Sequence, residues 1–141
     1  MGDTADRLAQ LSSVRLFSDC SKKELALLDR LADEVNVSAG DQIVAQDEYG
    51  RASYLVVEGE ASAFRDGDKI GTVGPGESIG ELAVIEPGPR TATVIADTDM
   101  TLLAMNSPEF LTAIEDVPAL SRSLLRSLAK RLRDIEEDLL H

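Results

Sequence analysis

Gly80, Glu81 and Arg90 lie close in the chain and carry complementary chemistry, enough to make the two ends of one small-anion site. The stretch from Ile79 to Val94 reads IGELAVIEPGPRTATV, with Arg90 nine positions after Glu81 and followed by Thr91-Ala92. Arginine supplies a planar, permanently charged fork that matches phosphate oxygens, and a carboxylate accepts hydrogen bonds from a sugar hydroxyl. Glycine at position 80 has no Cβ, so backbone there can come close to a ligand. A helical turn starting near Glu81 would aim unpaired N–H groups at the same anion. Taken alone, Glu81 reads better as a dipole cap for a short helix at Leu82–Ile85, and Arg90 as a surface residue after a turn. Taken together, the set suits recognition of a sugar phosphate.

Composition narrows what such a site could serve. With 141 residues the chain has room for one domain with one core, and 43% hydrophobic with 28% charged residues is an ordinary globular balance. Aromatics make up only 4%, so the core must be built mainly from Val, Leu, Ile and Ala. No apolar run reaches the length of a membrane span, and no signal-peptide core is present at the N-terminus. The single cysteine, Cys20, excludes an internal disulfide and fits a reducing cytoplasm; acidic Asp19 and Glu24 beside it disfavour a thiolate. A net charge of −12 should repel the chain from nucleic acid and from anionic lipid, and obliges any anionic ligand to find a local positive trap. Arg90, with no other basic residue nearby in sequence, concentrates that trap. One histidine, the terminal His141, leaves no metal-ligand cluster, and no nucleophile–base pair or carboxylate dyad has convincing spacing. Metal-dependent or nucleophilic catalysis is therefore not expected.

The elements that must position the site read in three parts. The first third is helical: a polar stretch at Thr4 to Gln10, then Leu16-Phe17, then Ser21-Lys22-Lys23-Glu24, a capping-box pattern. Leu25, Leu28, Leu31, Ala32 and Val35 follow as one face of an amphipathic helix. Between Val35 and Met105, β-prone runs alternate with turn chemistry. The runs are Gln42–Gln46, Ser53–Glu58, Ala61–Arg65, Lys69–Val73, Thr91–Ala96 and Thr101–Met105, an antiparallel sandwich or barrel pattern. Asp66-Gly67-Asp68 predicts a hairpin turn with positive φ. The last third is helical again, capped at Ser107-Pro108-Glu109, interrupted at Asp116-Val117-Pro118, and continuing from about Ala119. Leu125, Leu128, Leu132, Ile135 and Leu139 step by three and four along it, an a/d seam that either packs on the barrel or pairs with a second copy in parallel.

Gly80, Glu81, Leu82, Ala83, Arg90, Thr91 and Ala92 together resemble the phosphate-binding cassette of the cyclic nucleotide-binding domains of catabolite-activator-type regulators, cyclic-AMP-dependent kinase regulatory subunits and gated channels. The family pattern runs roughly Phe-Gly-Glu-Leu-Ala, six or seven variable residues, then Arg-Thr/Ala/Ser-Ala. Ser78-Ile79 departs from it where an aromatic often precedes the glycine, which touches a packing contact and not the phosphate chemistry. The resemblance implies cAMP or cGMP as ligand and no cofactor. Arg90, Thr91 and the backbone near Leu82 and Ala83 would hold the phosphate, with Glu81 on the ribose 2′-hydroxyl. Thr91 serves cAMP binders in the family, and its hydroxyl can also reach a guanine amino group, so the base stays open. By the same resemblance Val73, Arg131 and Ile135 lie near the base or its lid, Arg131 approaching Glu81, while Ile135 and Glu136 replace polar base contacts.

The fold class implied is α+β. An antiparallel β-roll or jelly-roll barrel is flanked by N-terminal helices and two C-terminal helices, with a short helix in the cassette. One domain then occupies 1–141: N-terminal helices over 1–34, the β-roll over 35–105 with its cassette at 79–94, and C-terminal helices over 107–141. The expected role is a cytoplasmic, non-enzymatic sensor whose C-terminal helix repacks on ligand, with a homodimer through that helix and an effector protein that the residues do not identify. Direct nucleic-acid or membrane binding is not expected, since the acidic chain shows no helix-turn-helix after the long helix. Alternatives are a ligand-free interaction or dimerisation scaffold, or a regulatory fragment of a larger transcription factor, enzyme or channel. Met1 reads as the start of a stand-alone domain.

Overall fold

Alternation along two strands divides the interior of this protein into two cores, where the chain length predicts room for one. The computed structural model describes residues 8–9, 11–12, 17–50, 52–80 and 88–140, and within them no side chain at 127, 131 or 140. Helix α1 (Lys22–Leu31) precedes strands β1 (Asp33–Val37), β2 (Gln42–Val44), β3 (Ala52–Glu58), β4 (Ala61–Arg65), β5 (Asp68–Val73), β6 (Ser78–Ile79), β7 (Thr93–Ala96) and β8 (Met100–Asn106). Helices α2 (Ser107–Asp116) and α3 (Pro118–Leu140) close the chain. The strands form two antiparallel four-stranded sheets, ordered β1-β8-β3-β6 and β2-β7-β4-β5.

Successive side chains in a strand face opposite ways, and β3 and β8 use both faces. Leu55, Leu103 and Met105 join Leu25, Leu28, Phe110, Val117, Leu120 and Leu124 beneath the helices. Their neighbours Val56, Met100 and Leu102 turn inward against Ala61, Ile79, Val94 and Ala96 of the roll. The result is a layer of helices on one sheet and a second sheet beyond it, the α+β roll expected from the sequence. Ile79, standing where the cassette pattern often has an aromatic, is buried in that inner core and fills the packing role.

Local signals account for most boundaries. Ser21 Oγ accepts from the Glu24 N–H at 3.1 Å while Glu24 Oε1 accepts from the Ser21 N–H at 2.8 Å, the reciprocal cap read from the sequence. Asp66 and Gly67 take φ of 53° and 85° between β4 and β5, the left-handed pair a two-residue hairpin turn needs. Val117 breaks α2 from α3 ahead of Pro118.

Other expectations require correction. Val35 is not on a helix face: α1 ends at Leu31, Ala32 turns extended as its C-cap, and Val35 pairs with Leu102 in β1. The roll therefore begins at Asp33, two residues before the expected boundary of 35. The cap of α2 is Asn106, with extended φ and ψ, and Ser107 is already helical. Strand β2 stops at Val44 and β7 starts at Thr93, both shorter than read, and the two-residue β6 was not foreseen.

Candidate functional site

Strand pairing alone brings two backbone carbonyls to one point. In β6, Ile79 pairs with Tyr54 and Ser78 with Leu55, so the chain past Ile79 runs back alongside the start of β3. Gly80 follows with φ of 81°, a left-handed conformation that a residue with Cβ resists. The carbonyls of Gly80 and Ala52 both accept from Arg90, at 3.2 Å from Nη1 and 2.7 Å from Nη2. Each of those nitrogens carries a second N–H. Arg90 is only 7% exposed.

The backbone of Arg90 is fixed from the other side by the loop between β2 and β3. Its N–H donates to the Glu48 carbonyl at 2.9 Å, its carbonyl accepts from the Asp47 N–H at 2.8 Å, and Pro89 bridges to Tyr49. Asp47 reaches that carbonyl from φ of 68°, a region that Asp tolerates better than most residues. A cavity of about 270 Å³ opens beside the guanidinium, with Val44, Glu48, Tyr49, Gly50, Tyr54 and Asn106 among its walls.

Burying a guanidinium strips it of water, and carbonyl dipoles replace only part of that solvation. Among the described residues no carboxylate lies within ion-pair distance of Arg90. The geometry is a fixed cation, held at both its backbone and its head, at the mouth of a glycine turn. Arrangements of this kind bind anions.

Of the residues read as site-forming, Gly80 and Arg90 are joined directly. Thr91 is exposed and Ala92 half-buried just ahead of β7. Glu81, Leu82 and Ala83, with the short helix expected there, lie outside the described residues, as does the side chain of Arg131. Val73, half-buried at the end of β5, packs against the inner core, and Ile135 is 55% exposed on α3. Two contributors were not read from the sequence. Arg65, at the end of β4, donates from Nε to the Thr91 carbonyl at 3.0 Å, so Arg90 is not the only cation near the cassette. Gly50, which carries no side-chain chemistry of its own, borders the Arg90 guanidinium. Among the described residues no group of three or more His, Cys, Asp or Glu could hold a metal, and no helix is long and apolar enough to cross a membrane.

The profile of the cyclic nucleotide-binding domain matches residues 34–117, which covers all of the roll but its first residue, and α2. The chain belongs to the cyclic nucleotide-binding domain family. It is 29% identical over 134 residues to a CRP-like cAMP-activated global transcriptional regulator of Mycobacterium tuberculosis, covering 92% of this chain and 60% of that one. It is 37% identical over 108 residues to the cyclic AMP receptor protein of Thermus thermophilus, covering 72% and 50%. The crystal structure of the Thermus thermophilus catabolite activator protein superposes with a TM-score of 0.80 at 33% identity, covering 89% of this chain and 62% of that one. The chain thus spans 50–60% of the length of these two curated relatives.

Proposed function

We propose that residues 1–141 form one sensor domain that binds a 3′,5′-cyclic nucleotide and regulates without catalysis. The observation that carries this reading is the buried Arg90 guanidinium beside the Gly80 turn. Arg90 holds the exocyclic phosphate oxygens through charge-assisted bonds, each worth about 1.5–3 kcal/mol. Gly80, Leu82 and Ala83 offer backbone around the anion, Thr91 and Ala92 close the cup, and Glu81 accepts from the ribose 2′-hydroxyl. A 2′-deoxy or linear 5′-monophosphate cannot satisfy both ends in the same geometry. The names of the two curated relatives, cAMP-activated regulator and cyclic AMP receptor, favour cAMP as the ligand. The exposed Thr91 hydroxyl keeps cGMP as the second ligand to titrate.

In this reading α3, with Arg131 and Ile135 at its lid positions, packs over the base when the cassette closes, and an effector protein hears the change. Val73 lines the base side. Leu125, Leu132, Ile135 and Leu139 stand exposed along α3 and serve as the seam of a homodimer, in a cytoplasmic setting. Calorimetry with cAMP and cGMP tests the proposal. Micromolar binding of at least one is expected, about 8 kcal/mol at standard state, with Arg90→Ala abolishing it. No heat and no melting shift at millimolar nucleotide would reject the sensor and leave the interaction scaffold.

A further inference from the structure

Gly50 forms one wall of the slot that holds Arg90. A β-carbon placed on Gly50 would stand 2.7 Å from Arg90 Nε and 2.8 Å from Cζ, and closer still to Nη2. Those three atoms, all of one guanidinium, are the nearest heavy atoms to it. Ordinary carbon contacts lie at about 3.5–4.0 Å, so one of the two groups must yield. The guanidinium is tied to the Gly80 and Ala52 carbonyls, and the Arg90 backbone is tied to Asp47 and Glu48, on the same loop as Gly50. Neither end of the arginine can yield without breaking a hydrogen bond. Gly80 also crowds Arg90 Nη1, but its positive φ demands glycine for a separate reason. Gly50 is not among the positive-φ glycines, so its φ does not demand glycine and the space beside Arg90 does.

We propose that Gly50 is a positioning residue: its missing side chain sets where the Arg90 head stands, and through it the affinity of the anion site. The effect on affinity rests on the cyclic nucleotide reading; the effect on Arg90 does not. In the ligand-free chain, Gly50→Ala is expected to move the Arg90 Nε–H resonance in the ¹⁵N spectrum. Calorimetry of the same variant is expected to show cAMP bound about tenfold or more weakly, the loss of one charge-assisted contact. In an Arg90→Ala background, Gly50→Ala should leave the melting temperature of that background unchanged, because the three atoms nearest the new β-carbon are gone.

An unmoved resonance, an unchanged cAMP affinity in a variant of a binding-competent parent, or an equal melting loss in both backgrounds would overturn the assignment. If Gly50→Ala alone fails to fold, recovery in the double variant supports it and failure of both sinks it. A parent that binds no cyclic nucleotide defeats the functional reading instead, and the resonance and melting comparisons still decide the part played by Gly50.

Discussion

Arg90 is a charge withdrawn from water, and the residues around it explain why that state is tolerable. Two carbonyls take up part of its hydrogen-bonding capacity, and backbone contacts from Pro89 and Arg90 to residues 47–49 fix the point from which its side chain departs. The cation and the glycine turn were legible in the sequence because they sit within ten positions of each other. Arg65 and Gly50 were not, because their contacts cross between segments that are remote in the chain: Arg65 meets Thr91 across 26 positions. A motif records local spacing; the walls of its pocket come from strand pairing. Cys20 shows the opposite case, a local reading that carries through. Burial first, then the charges of Glu24 and Asp19, push its thiol up to about 11. Iodoacetamide at pH 7–8 is expected to alkylate Cys20 much more slowly than a free thiol, and equal rates would contradict the shift. Because the folded state holds this proton beyond the ordinary thiol range, its contribution to stability is complete below about pH 9.0 and is lost as pH rises toward 11.

At the scale of elements, capping and turn chemistry decided what could be read ahead. The box at Ser21 and Glu24, the Asp66-Gly67 turn and the break at Val117 each rest on a bond or torsion made within a few residues. Ser21→Ala removes one side of the box, and urea unfolding should show a loss of about 1 kcal/mol with an unchanged slope. A slope that changes would show that the helix start is not behaving as an independent local contribution. β1 escaped because Val35 continues the three- and four-residue spacing of α1, and the polar DEVNV segment looks unlike a strand until β8 pairs with it. β6 escaped because two residues carry no periodicity at all, yet its register with β3 is what brings the Gly80 and Ala52 carbonyls together. Asn106 displaced Ser107 as the cap because β8 runs on to Asn106, which keeps extended torsions.

Over the whole molecule, α3 is the element least consumed by the fold. Ala119, Leu120 and Leu124 are buried and Leu128 packs against the same core, while Leu125, Leu132, Ile135 and Leu139 are 55–80% exposed. Burying the seam on the roll, one of the two outcomes read from the sequence, is not what the structure shows for those four. Sedimentation is expected to give twice the chain mass for the parent and the single mass for Leu132→Lys, which leaves the Leu128 contact intact. A monomeric parent would dismiss the seam. The length of α3 has a mechanical corollary. Its 23 residues make a rod of about 34 Å, set off from α2 by the break at Val117. Were α3 to tilt by about ten degrees about that break, the Leu139 tip would sweep through about 6 Å, so an angstrom-scale shift near Val117 would become, at the far end, a stroke larger than one helical turn.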